Sequence, residues 1–185
     1  LDLGSQPPSN AYLSEEQLLE PEITYPLKVY MCSKCWLMQL PCHAKPKELF
    51  TDNYAYFSST SKGSCDHAKK FVFNAVDRLK LNNESMVVEL ASNDGYLLQY
   101  FKEKSIPCIG VEPTKATADA ARLKGIESIH DFFGVDLSNS MVKEGGVCEG
   151  GADLIIANNV LAHVPDINDF VEGISKLLKP KGKVS

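Results

Sequence analysis

From Met86 onward, short apolar runs alternate with amphipathic stretches. Met86-Val-Val-Glu-Leu90, Cys108-Ile-Gly-Val111, the run over 126–133 and Ala152-Asp-Leu-Ile-Ile-Ala157 predict four strands. Helical spacing predicts helices over 96–104, over 115–124 with Gly125 as the C-cap, and over 135–144. A last helix is capped by Asp166, runs to Leu178 and is ended by Pro180 and Gly182, after which the final residues read as the start of another strand. Ahead of the first strand, His67, Ala68, Phe71, Val72, Ala75, Val76 and Leu79 recur at helical intervals, and Asn82-Asn83 stops that helix. Strands that are apolar on both faces and separated by crossover helices imply an α/β fold with a parallel sheet.

The first 65 residues follow no such rhythm. They carry Pro7, Pro8, Pro21, Pro26, Pro41 and Pro46, the pair Cys32-x-x-Cys35 and the aromatic run Tyr54-Ala-Tyr56-Phe57, which suits a small loop-rich unit. The expected organisation is therefore a module over 1–65 and an α/β domain over 66–185. At 185 residues and 44% hydrophobic content there is enough material for one ordinary core. The net charge of −5 argues against nucleic acid or an anionic membrane as partner, because binding phosphate needs a basic footprint. No apolar run reaches the length of a membrane span. Six cysteines in an otherwise ordinary composition point to reduced thiols and a cytoplasmic setting; Cys32 and Cys35 have metal-type spacing, and Cys108 falls in an apolar strand. Both ends read as cut, the start lacking a methionine and the finish falling inside a predicted strand.

In an open parallel sheet, ligands sit beyond the carboxyl ends of the strands. The first strand leaves through Glu89-Leu90-Ala91-Ser92-Asn93-Asp94-Gly95, an acid followed by a tight turn of small residues. Gly95 lets backbone approach a ligand, and Asn93 takes positive φ more cheaply than most residues. The second strand ends at Glu112-Pro113, where nucleotide folds place the acid that accepts the ribose hydroxyls. The third ends near Phe132-Phe133, of which one ring is expected in the core and one against an adenine. The fourth ends at Asn158-Asn159, polar groups that need partners if buried and that a cofactor or substrate could supply. His163 reads as a packed residue rather than a base.

Charge separates two ligand classes. A dinucleotide pyrophosphate needs a Gly-x-Gly-x-x-Gly turn to receive its negative charge. The turn here has one glycine, and Asp94 stands where the anion would lie. S-adenosylmethionine carries a sulfonium and an ammonium and no phosphate, so Glu89 and Asp94 suit it.

Taken together, Leu3-Gly-Ser-Gln-Pro-Pro-Ser-Asn10, Tyr25-Pro-Leu27, Cys32-Ser-Lys-Cys35 with Met38-Gln-Leu40, Leu49-Phe50, Tyr54-Ala-Tyr56-Phe-Ser-Ser-Thr-Ser61, the run over 88–98 and Asn158-Asn-Val-Leu-Ala-His163 resemble the sugar C-methyltransferases. These act on nucleotide-linked 4-keto-deoxyhexoses and carry an N-terminal zinc-binding module. The resemblance implies a Rossmann-like class I methyltransferase sheet behind a small loop-rich zinc-binding module. It implies that Tyr56, Ser59 and Ser61 border S-adenosylmethionine, that residues 89–95 cradle its methionine part, that Glu112 holds the ribose and that Phe132 and Phe133 flank the adenine. It also implies Zn²⁺ on two cysteine pairs, of which Cys32 and Cys35 match the second. The first pair would lie upstream of Leu1, with Cys42 and His43 as candidate substitutes for it, so zinc is expected to be lost or displaced. The family's catalytic segment would follow Ser185. The chain is thus expected to bind cofactor weakly or not at all and not to turn over. Two other readings stay open: an O- or N-methyltransferase of another small metabolite, and a non-catalytic zinc-ribbon interaction module with a degenerate methyltransferase fold.

Overall fold

A computed structural model describes residues 1–52 and 54–185, which divide into two compact units, Leu1–Tyr56 and Phe57–Ser185. In the first, β1 (Asp2–Gln6) pairs antiparallel with β2 (Tyr25–Lys28), and β3 (Tyr30–Met31) with β4 (Met38–Gln39). A single helical turn, α1 (Pro46–Leu49), follows, with Pro46 where a missing N–H costs nothing. No described residue of this unit is buried, as its proline-rich, aperiodic sequence predicts.

The second unit opens with α2 (Lys62–Leu79), whose N-cap Ser61 accepts from the Ser64 amide at 3.2 Å. The helix begins a turn before the apolar periodicity does, because a capped polar first turn leaves no hydrophobic signal. There follow β5 (Val87–Leu90), α3 (Leu98–Glu103), β6 (Cys108–Val111), α4 (Lys115–Leu123) and β7 (Glu127–Ile129). The unit is completed by α5 (Val135–Val142), β8 (Ala152–Ile156), α6 (Ile167–Leu177) and β9 (Leu178–Val184).

The five strands form one parallel sheet in the order β7-β6-β5-β8-β9. Alternation divides the core. Val87, Leu154 and Ile156 pack with Val72, Leu98 and Phe101 on one side, whereas Val88, Ile155 and Val111 pack with Met141, Phe170 and Leu177 on the other. All four residues of β5 are buried, which is why its sequence shows a continuous run rather than an alternation. The chain steps outward from β5 to β6 and β7, then returns to the opposite side of β5 as β8. That reversal opens a crevice at the carboxyl ends of β5 and β8.

Two further elements differ from the sequence expectation. The third strand stops at Ile129 rather than continuing to Phe133, because Asp131 Oδ1 accepts its neighbour's amide (Phe132 N, 2.8 Å) and the His130 ring turns to the Pro113 carbonyl. Pro180 and Gly182 do not end the last helix either. Leu178 already pairs with Ala152, the next pairs are Leu154 with Lys183 and Ile155 with Val184, and the proline and glycine fill the irregular stretch between. A residue without an N–H is tolerated where the ladder is interrupted.

Candidate functional site

The loop after β5 is coiled by three left-handed residues at alternate positions, Ala91 (φ 55°), Asn93 (φ 50°) and Gly95 (φ 73°). Asparagine and glycine reach this region readily; Ala91 does so at a cost of about 1–2 kcal/mol that the surroundings must offset. Gly95 is required twice over, because a Cβ there would also stand 2.5 Å from Ile126 Cδ1 and 3.3 Å from Ala121 Cβ.

Segment 58–60, a single 3₁₀ turn, is fastened to this loop. The Ser58 amide donates to Asn93 Oδ1 (2.8 Å), the Ser59 amide to Asp94 Oδ1 (3.3 Å), and the Ser59 hydroxyl to Asp94 Oδ2. Lys124, just past α4, donates to the Asp94 carbonyl at 2.9 Å and pairs with its carboxylate at 3.0 Å. Asp94 is 2% exposed, and its charge is met inside the protein. Sequence reasoning assigned that charge to the ligand. It missed Lys124, for which the signal was only the general need of a buried carboxylate for a partner.

Glu112, buried at the end of β6, is held by three donors. Its Oε2 accepts the Asn93 amide (2.8 Å), and its Oε1 accepts the Thr114 amide (2.9 Å) and hydroxyl (2.6 Å). Thr114 is linked in turn to Thr117, and both are buried threonines that the sequence reading did not single out. The carboxylate is thus oriented before any ligand arrives. Pro113 beside it is half-buried and takes the His130 Nε2 hydrogen bond at 3.0 Å through its carbonyl.

Glu89 differs. It lies within β5, 2% exposed, and its Oε2 has no hydrogen-bond partner among the described residues. Burial, reinforced by the charges of Glu112 and Asp94, raises its carboxyl well above the usual carboxylate range. Ser92 Oγ is likewise buried and unpartnered, and it lies against Gly110 so closely that a Cβ there would fall on it. Orphaned buried groups at a strand end are where a polar ligand is expected to complete the hydrogen bonding.

The other expected site residues divide. Leu90 is core. Phe133 packs edge-on against Phe170 at 5.3 Å between centroids, while the half-buried Phe132 is the ring left at the strand end. Asn158 and Asn159 are exposed, so the argument from buried polar groups does not apply to them. The Ser61 hydroxyl serves as a helix cap, and Tyr56 is the exposed last residue of the first unit.

In the β3–β4 turn, the Lys34 amide donates to Cys32 Sγ (3.4 Å), the Trp36 amide to the Cys32 carbonyl (3.0 Å) and the Cys32 amide to the Leu37 carbonyl (2.9 Å). Hydrogen bonds from the Cys35 and Lys34 amides lower the Cys32 thiol. Among the described residues, however, no group of three or more metal ligands comes together, and Cys42 Sγ turns instead to the Ala44 carbonyl at 3.2 Å. Two thiols do not fit a closed structural zinc site, which takes four ligands.

The sheet order, the coiled loop after the central strand and the acids at the ends of two adjacent strands define the Rossmann-like fold of class I methyltransferases. The chain belongs to the methyltransferase-domain family: residues 88–184 match the family described as "Methyltransferase domain". Residues 1–50 match another described as "Putative zinc binding domain". The chain is 32% identical over 182 residues to C-methyltransferase NovU of Streptomyces niveus, an alignment covering 98% of this chain and 42% of that protein. It is 29% identical over 114 residues to a ubiquinone biosynthesis O-methyltransferase of Rhodopseudomonas palustris (strain TIE-1), covering 62% of this chain and 43% of the relative. The chain thus spans less than half the length of either. Among solved structures, the PH0226 protein from Pyrococcus horikoshii OT3 superposes with a TM-score of 0.54 at 17% identity over 75% of this chain and 60% of that one. Among the described residues, no helix is long and apolar enough to cross a membrane.

Proposed function

We propose that this chain supplies the cofactor half of an S-adenosylmethionine-dependent C-methyltransferase whose acceptor is a nucleotide-linked keto-deoxysugar. The observation that carries the cofactor is the unpartnered, buried Glu89 Oε2 beside the coiled 91–95 loop and the pre-oriented Glu112. A buried carboxyl with an unfilled oxygen suits a cationic adenosyl ligand, and a turn with one glycine lacks the Gly-x-Gly-x-x-Gly backbone that receives a pyrophosphate. The similarity to C-methyltransferase NovU supports carbon as the methylated atom, and the motif resemblance set out above supports the sugar.

When bound, the cofactor supplies an electrophilic methyl group. The residues of this chain bind and orient it. Glu112, whose Oε2 keeps one acceptor position, would take a ribose hydroxyl, the backbone of residues 91–95 would follow the methionine part, and Phe132 would cover the adenine. The acceptor would need a base to take the proton next to its ketone, and none of the described residues is assigned as that base. Zinc enters no step.

Titration of the chain with S-adenosylmethionine and, separately, with NAD tests the reading. Weak saturable binding of the first alone is expected, with shifts centred on Gly95 and Glu112. NAD seated beside Gly95 in place of the sulfonium compound refutes it. Methyl transfer to an oxygen rather than to the carbon of a keto-sugar, by a protein that contains this sequence, would instead favour an O-methyltransferase, the activity named for the second relative.

A further inference from the structure

Glu89 is the one acid among the described residues that combines burial with an unpartnered carboxylate oxygen. Among the described residues, no countercharge acts on it. From β6 it meets the Cys108 thiol at the strand's start and the Glu112 carboxylate at its end; from the loop it meets Asp94. β8 runs alongside with apolar Leu154 and Ile156 in register with Val87 and Glu89. On α2 and α3, Cys65, Asp66 and Glu103 act on Tyr100, Lys69 lies over the Phe73 and Tyr100 rings, and Lys102 donates to the Lys124 carbonyl and acts on Cys108; the charges that act on Glu89 are those of Glu112 and Asp94. Lys124 is committed to Asp94. A carboxylate so placed would be a buried charge beside two like charges, and such a group takes up a proton instead.

Resting on the cofactor reading above, we propose that Glu89 is a neutral carboxylic acid while the pocket holds no ligand and gives its proton to solvent when a cationic adenosyl ligand binds. The O–H bond breaks, its electron pair stays on the carboxylate, and the proton passes to the buffer. The ligand's positive charge replaces the proton as the compensating charge. The pocket is therefore neutral at Glu89 when empty and negative only when something positive is in it. This selects a cation without the fold having to bear a third buried negative charge.

Two measurements on the whole chain test this. The first follows the Glu89 carboxyl carbon by NMR as pH is raised, without and with saturating S-adenosylmethionine. It should stay protonated well past the usual carboxylate range alone and ionise at lower pH with the ligand. The second reads the dissociation constant from chemical shifts at pH values about one unit apart, both below about 7, where the ligand's α-amino group keeps its charge. Release of one proton makes binding about tenfold tighter per pH unit. Glu89→Gln should bind with the same affinity at both pH values. Ordinary ionisation of Glu89 in the ligand-free protein overturns the proposal, as does pH-independent binding by the unsubstituted chain. Absence of any ligand-induced shift at either pH overturns the cofactor reading and the linked proton release together. The ligand-free titration separates that failure from the others and needs no variant that has to fold.

Discussion

Replacing Gly95 with alanine probes the coiled loop at its most constrained point. Gly95 has φ of 73°, and an added Cβ would lie 2.5 Å from Ile126 Cδ1 and 3.3 Å from Ala121 Cβ. Ile126 is 2% exposed and Ala121 fully buried, so neither can swing into solvent. The left-handed conformation costs an alanine about 1–2 kcal/mol, and pushing a methyl group into packed core adds about 1–3 kcal/mol. A loss of about 3 kcal/mol is expected, a large share of the roughly 5–15 kcal/mol that a domain has.

Ile126→Val removes the Cδ1 atom that obstructs the new methyl and by itself costs about 0.5–1.5 kcal/mol. The two changes should therefore couple. In the double variant the methyl fits, the strain in φ remains, and the total loss is smaller than the sum of the single losses by about 1 kcal/mol or more. Urea unfolding followed by helical circular dichroism reads this, because α2 to α6 all lie in the second unit. The chain's single tryptophan, Trp36, lies in the first unit and serves as an internal control. Strict additivity of the two losses would refute the steric argument, and a cost near zero for Gly95→Ala would refute the positive φ.

Other expectations follow from the same geometry. Asp94→Asn leaves Lys124, about one-third exposed, without its buried partner and should cost about 2 kcal/mol in the same unfolding assay; an unchanged midpoint would remove the ion pair from the account. Glu112→Gln turns an amide NH₂ toward donors that now meet a carboxylate and should lower both stability, by about 2 kcal/mol, and cofactor affinity; a change in affinity alone would mean that the Asn93 and Thr114 bonds contribute little. The raised Glu89 carboxyl fixes the sign of a pH effect: above the usual glutamate range the unfolded chain ionises while the folded one keeps its proton, so stability falls as pH rises until the folded group ionises too. Glu89→Gln should flatten that slope, and parallel curves would contradict it. Cobalt added to the chain should report no more than two thiolate ligands, from Cys32 and Cys35; a four-thiolate spectrum would show that other cysteines join them.

Much of this was legible in the residues. Periodicity located β5, β6 and β8 to within a residue, because buried parallel strands and amphipathic helices differ in both period and length. Gly95 and Asn93 stood out because few residues take positive φ; Ala91 did not, since alanine announces no such conformation. Asp166 was readable as a cap, and its carboxylate accepts the Asn168 and Asp169 amides at 3.1 and 3.0 Å. Pro180 and Gly182 were misread because a helix stop and an interrupted strand use the same residues.

Sequence by itself settled the class of the fold and the position of the tight turn after β5, since those depend on local period, turn chemistry and the order of strands. It could not apportion the acids. Glu89, Asp94 and Glu112 look alike in one dimension, and only tertiary structure gives Lys124 and Ser59 to Asp94, Asn93 and Thr114 to Glu112, and nothing to Glu89 Oε2. The physical reason is that a carboxyl group's character is set by what lies within a few ångströms of it, and those neighbours come from segments tens of residues away.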